Sequence, residues 1–149
     1  MKHQETIDYF LKVVWQTIAN RYNQIASGIG ITQSIGYLLI NIDEIEGTTV
    51  TGVAQLLGLK STSLSRMLAS LEEQQLIYRE PGLLDKRQVK VYLTEKGRQK
   101  RQLARGVVKQ FNEYLNANIA EEDREKLIGL LKNINELTLA YEPVSPQKK

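Results

Sequence analysis

The sequence predicts a mostly α chain with one small β hairpin inside it, an α+β arrangement, and three observations carry that prediction. Apolar residues recur at helical spacing through most of the 149 residues. Two short runs break that rhythm: Leu76 to Glu80, and the alternating Val89-Lys90-Val91-Tyr92-Leu93. The apolar stripes near both ends are also longer than the middle of the chain could cover, so they need each other or a second copy of the chain.

In chain order, Ile7, Phe10, Leu11, Val14, Ile18, Tyr22 and Ile25 define one long amphipathic helix that stops near Ser27-Gly28. A second helix is expected from Gln33 to Glu46, through Ile35, Leu38, Leu39, Ile42 and Ile45. Thr48 to Val50 reads as a short strand. Thr51 is expected to cap a short helix carrying Val53, Leu56 and Leu57, and Gly58 supplies a turn. Residues 60–74, KSTSLSRMLASLEEQ, place Leu64, Met67, Leu68 and Leu71 on one helical face. One of Ser61, Thr62 and Ser63 is expected to cap that helix. The strands at 76–80 and 89–93 are separated by more residues than a tight turn needs, which makes the connection a protruding loop. Val89, Val91 and Leu93 should pin that loop to the core. A long helix follows from Thr94 to Asn118 through Leu103, Val107, Phe111, Tyr114 and Leu115. The last helix holds Leu127, Leu130, Leu131, Ile134, Leu137 and Tyr141, and the tail EPVSPQKK is expected to be disordered.

Composition excludes several function classes. There is no cysteine, hence no disulfide, thiol catalysis or thiol-based sensing, and one histidine, His3, cannot build a metal site. No run is long and apolar enough to span a membrane, and MKHQETIDYF lacks the order of a signal peptide, so a cytoplasmic protein without membrane partners is expected. Asp43, Glu44 and Glu46 crowd one helix end, but no partner base accompanies them; no catalytic residue and no cofactor are expected. The net charge is +3, unevenly spread: residues 60–105 hold eleven Lys/Arg against five Asp/Glu. A basic middle with mildly acidic ends suggests a localised surface for a polyanion.

Residues 51–74 supply a short helix, a glycine-containing turn and a second helix, the plan of a helix-turn-helix whose second helix enters the major groove of double-stranded DNA. With the leucines and Met67 inward, Thr62, Ser63, Ser65, Arg66, Ala69 and Ser70 face out, with Ser61 at the helix start. Short hydroxyls permit close approach to phosphates and base edges. Arg66 can take O6 and N7 of guanine together, or clamp a phosphate.

The hairpin that follows then reads as a wing, completing an α+β winged helix-turn-helix. At its tip stand Asp85, Lys86 and Arg87, with Leu83-Leu84 just before them. An arginine there can reach the minor groove, where the negative potential attracts it. Asp85 is expected to hold the Arg87 or Lys86 side chain by a charge-assisted hydrogen bond. Lys90 and Arg79, on the strands, are candidate phosphate contacts.

VAQLLGLKSTSLSRMLASLEEQQLIYRE, then DKR, then VYLTEKG resembles the winged helix-turn-helix core of MarR-type (multiple antibiotic resistance regulator) transcriptional regulators, over about Thr32 to Arg101. Its most specific elements are Asp85-x-Arg87 and Leu93-Thr94-x-x-Gly97, and Ser65-Arg66 stand where the family commonly has Thr-Arg. The resemblance implies a homodimer with each recognition helix in a major groove and each wing arginine in a minor groove. It also implies a repressor on a pseudo-palindromic operator, released in many members by a small aromatic or anionic effector. Four positions depart from the family pattern. Gln75 replaces the glycine that usually ends the recognition helix, so a residue there must take a strained turn or the helix must end differently. Lys86 replaces the usual arginine beside Asp85, and Leu83-Leu84 make the wing base unusually apolar.

The expected organisation is a dimerisation helix over 1–30, the DNA-binding domain over 31–97, further intertwined dimerisation helices over 98–142, and the tail from 143. Tyr9, Trp15, Tyr22 and Tyr37 are candidates to line an effector pocket, with Arg21 to pair an anion. The competing reading is a winged helix used as a protein-interaction module without DNA affinity.

Overall fold

The computed structural model describes residues 5–143; His3 and most of the tail lie outside that range. The described residues form α1 (Ile7–Ser27), α2 (Gln33–Asn41), β1 (Thr48–Thr49), α3 (Val50–Leu57), α4 (Ser61–Glu73), β2 (Ile77–Pro81), β3 (Val89–Leu93), α5 (Glu95–Asn118) and α6 (Glu121–Ala140). They divide into two compact units, one ending at Val108 and one beginning at Lys109.

The first unit is built on one apolar core. Leu38 and Leu39 from α2, Val53 from α3, Leu64, Leu68 and Leu71 from α4, and Leu76, Ile77, Val91 and Leu93 from the hairpin are all buried together. Each helix contributes the face that its spacing marks as apolar. The sheet is antiparallel with order β1-β3-β2, and Ile77 stands opposite Leu93 while Thr49 stands opposite Lys90. Alternation along β3 buries Val91 and Leu93. Tyr92, on the other face, stacks on Tyr78 of β2 with ring centroids 5.4 Å apart. Val89, expected to join the core, is exposed at the strand's loop end. A smaller cluster of Ala26, Ile31 and Ala104 joins the end of α1, the approach to α2 and α5.

Several element ends differ from expectation for local reasons. α2 stops at Asn41 rather than Glu46, because the Asp43 carboxylate accepts the Ile45 and Glu46 amides at 2.9 and 2.7 Å and closes its own turn. Those two bonds also hold the Asp43 pKa below the usual carboxylate value. The cap of α3 is Thr49, which accepts the Gly52 amide at 3.0 Å, rather than Thr51. The N-cap of α4 is Lys60, with no side-chain cap, so none of Ser61, Thr62 and Ser63 plays the capping part.

α4 ends in the strained alternative of the two that Gln75 leaves open. Gln75 has φ +60°, the only left-handed non-glycine among the described residues. The Leu76 amide reaches the Leu71 carbonyl and the Gln75 amide reaches that of Glu72, both at 2.9 Å, which is a Schellman ending with both leucines buried. The turn is held from the far side of the hairpin. Thr94 Oγ1 donates to the Gln75 carbonyl at 2.6 Å and accepts the Gly97 amide at 3.0 Å, and Lys96 Nζ reaches the Gln74 carbonyl at 2.9 Å. Thr94 therefore caps α5, which starts at Glu95. Gly97 packs so tightly on the Leu76 carbonyl that a Cβ would collide with it.

In the second unit, α6 opens on Glu121, Glu122 and Asp123, favourably placed at the positive end of the helix, and none of its residues is buried.

Candidate nucleic-acid interface

α4 presents Ser61, Thr62, Ser63, Ser65, Arg66, Ala69 and Ser70 to solvent, while Leu64, Leu68 and Leu71 hold it on the core. Two hydroxyls are engaged within the helix. Ser65 Oγ donates to the Ser61 carbonyl at 2.9 Å, and Ser70 Oγ accepts from Gln74 Nε2 at 3.1 Å. Ser65 thus offers its lone pairs outward, and donates to a phosphate only by giving up the bond to Ser61.

The wing is a closed loop. The Gly82 amide donates to the Gln88 carbonyl, and the Gln88 amide donates to the Asp85 carbonyl at 3.0 Å. Asp85 does fix the tip, but not as expected: Oδ1 accepts the Arg87 backbone amide at 2.9 Å, and no ion pair forms with the side chain of Arg87 or Lys86. The carboxylate shapes the turn and leaves both cations uncommitted. Arg87 shares a surface concavity with Thr49, Val50 and Thr51 at the start of α3 and with Gln88 and Val89. The sequence offered no signal for those neighbours, because they meet only through the pairing of β1 with β3.

Most other cations of the basic stretch are committed to the fold. Arg79 pairs with Glu72 through two bonds, at 2.7 and 2.8 Å, tying β2 to α4. This pairing holds Glu72 below the usual carboxylate range and pushes Arg79 up. Lys90 Nζ donates to the Glu46 carbonyl at 2.8 Å. Arg98 pairs with Glu95, Lys100 Nζ reaches the Ile29 carbonyl, and Arg101 Nη1 meets Glu44 at 2.6 Å. Arg79 and Lys90 are therefore already engaged by the fold, and Arg79 also lines the concavity that holds Arg87. Among the described residues, the basic side chains of this stretch that have no such bond are Lys60, Arg66, Lys86, Arg87 and Arg105. Four of the five flank or occupy α4 and the wing tip. Lys60 went unremarked in the sequence because it was read only as part of the helix.

A separate half-open cavity of about 220 Å³ lies among α1, α2 and the middle of α5, and its walls are predominantly apolar. Trp15, Tyr22 and Tyr37 line it, as expected, with Gly36, Ile40 and Ala104 among the other walls. Burial pushes the Tyr22 hydroxyl pKa up. Tyr9 and Arg21 are not among the lining residues. Tyr9 meets Phe10 edge-on at 5.6 Å, and Arg21 donates to Gln24 at 3.1 Å. The helix-phase signal for Gly36, Ile40 and Ala104 was present in the sequence but reads equally as core. Among the described residues there is no cluster of three potential metal ligands, and no helix is long and apolar enough to cross a membrane.

Comparison with known proteins gives a consistent picture. No curated protein sequence matches the chain. Among solved structures, MepR from S. aureus in complex with DNA superposes with a TM-score of 0.81 at 21% identity, over 89% of this chain and 98% of that one. The reduced form of MarR from E. coli gives 0.72 at 25% identity, over 87% and 96%. The transcriptional regulator SlyA gives 0.78 at 20% identity, over 89% and 93%. The family model described as MarR family matches residues 18–89, from within α1 to the start of β3. With that match carried on a winged helix-turn-helix shared with these three regulators, the chain is similar to the MarR family.

Proposed function

We propose that the protein is a homodimeric, sequence-specific DNA-binding transcriptional regulator, a repressor acting on a pseudo-palindromic operator. The observation that carries this reading is the distribution of uncommitted cations. Six basic residues of the central stretch are bound into the fold, while Lys60 and Arg66 at α4 and Lys86 and Arg87 at the wing are left for a polyanion. Arg66, with Ser61, Thr62, Ser63, Ser65 and Ser70 around it, has the chemistry to read base edges and phosphates in the major groove. Arg87 has the chemistry for the minor groove. The likeness to a DNA complex of MepR supports the same reading, and family relatives are transcription regulators rather than enzymes.

The homodimer rests on apolar surface that each unit leaves open: Ile7, Phe10 and Val14 on α1, and Leu127, Leu130 and Leu137 on α6 are each at least half exposed. For the cavity, the aromatic walls Trp15, Tyr22 and Tyr37 favour a small aromatic effector. An anionic one is disfavoured, since no charged residue lines the space.

The test is selection of DNA fragments by the purified protein, beginning with the region upstream of its own gene, alongside sedimentation to give the assembly state. The expected outcome is an inverted repeat with half-sites about one helical turn apart, bound by a dimer. A protein that enriches no fragment and shifts none at low salt is an interaction module instead.

A further inference from the structure

The wing carries two side chains that neither the fold nor the cation pattern explains. Leu83 and Leu84 are fully exposed, at 100% and 105% of the reference area. The inside of the loop beside them, at Gly82, is occupied by its own backbone. Gly82 is buried, and a Cβ on it would stand 2.7 Å from the Asp85 carbonyl oxygen and 3.1 Å from that of Gln88. The loop is thus built to hold both leucines out in water. A turn that merely reverses the chain is ordinarily made of polar residues and glycine.

We infer that Leu83 and Leu84 form an apolar wedge that enters the DNA minor groove beside Arg87 and opens a base step, so that the wing bends the duplex. The inference rests on the reading of the wing as a minor-groove element. The occupant of this tip must offer apolar surface flanked by negative charge, because Lys86 and Arg87 stand just beyond the leucines, neither is ion-paired, and the intervening Asp85 carboxylate is turned to the Arg87 backbone amide. A minor groove has that composition: sugar and base edges lie between two rows of phosphates. Apolar side chains inserted there unstack a base step and kink the duplex. At about 6 Å wide the groove admits a loop tip but not a helix. The cost of opening depends on the step, and pyrimidine–purine steps open most easily. The wedge therefore gives sequence preference at a position where no base edge is read.

The experiment uses duplexes recovered by selection on the intact protein, with 2-aminopurine at successive positions across the flank and dyes at the two ends. The intact protein is expected to brighten 2-aminopurine at one step and to shorten the end-to-end distance. The double variant L83S/L84S should abolish the brightening, straighten the duplex and bind on the order of tenfold more weakly. Its preference for a TpA step over an A-tract should also disappear, with circular dichroism and melting unchanged. R87A should weaken binding while keeping the brightening. A double variant that retains both brightening and bend overturns the wedge, as does one whose defect is a changed assembly state on sedimentation. If the intact protein binds duplexes without brightening any step, the wedge alone fails; if it binds none, the DNA reading fails with it.

Discussion

Arg101 Nη1 donates to the Glu44 carboxylate at 2.6 Å, tying the first turns of α5 to the turn that precedes β1. The same turn is held from the wing side by Lys90 Nζ on the Glu46 carbonyl. The two partners of the Arg101 pair are not equivalent. Arg101 is 7% exposed and its Nε is buried without a partner, whereas 43% of the Glu44 side chain meets solvent. Removing the acid strands a buried charge, while removing the base leaves an acid that water can serve. Glu44→Gln should therefore cost about 1–3 kcal/mol in urea unfolding. Arg101→Met, which keeps apolar volume, should cost less than about 1 kcal/mol. The reverse order would mean that the pair matters for its attraction rather than for satisfying the guanidinium.

Gln75 holds a left-handed conformation that glycine adopts without strain. A non-glycine residue there costs roughly 1–2 kcal/mol, and glycine returns part of that gain through its freer unfolded chain. Gln75→Gly is expected to raise stability by about 0.5–1 kcal/mol, read as a higher denaturation midpoint with an unchanged slope. Gly97→Ala should do the opposite, since its Cβ must displace the Leu76 carbonyl and disturb the turn that Thr94 holds.

The elements were legible wherever periodicity was long. α1, α4, α5 and the pairing of 89–93 with the preceding strand follow from spacing alone, and Gln75 was flagged by a missing glycine. What escaped was set by side chain to backbone bonds, which carry no periodic signal. Asp43 ended α2 early by taking two amides, and Thr49 rather than Thr51 capped α3. The same blindness affected the interface. Sequence counts a cation but not its partner, so the bonds of Arg79 to Glu72 and of Lys90 to Glu46 could not be read from it. Asp85 was assigned to the right turn and the wrong atoms, because an Asx turn and a side-chain ion pair use the same residues.

The Glu72–Arg79 pair makes a pH prediction. The Arg79 hydrogen bond holds the folded Glu72 pKa below its ordinary value. The stability it contributes is complete above the unfolded glutamate pKa of about 4.3 and is lost as pH falls through the lower folded value. About a third of each side chain is exposed, so the contribution is small, about 0.2–1 kcal/mol. Glu72→Gln should be less stable than the parent by that amount at pH 7. The two unfolding curves should converge in acid, below the folded pKa. A gap that persists there would assign the loss to packing instead of charge.

Arg66 and Arg87 are both uncommitted, yet the proposed roles separate them in a salt titration. A base-reading Arg66 carries information, so Arg66→Ala should cost about 1–3 kcal/mol on the selected site and much less on random DNA. Its salt slope should change little. Arg87, in a groove where sequence is read mainly as width and potential, should behave differently. Arg87→Ala should weaken binding to both DNAs and lower the slope of log K against log salt by about one. Parallel gel-shift series at several salt concentrations decide the matter. Equal losses on both DNAs for Arg66→Ala would make that residue a phosphate clamp, and undiminished affinity for Arg87→Ala would remove its side chain from the contact.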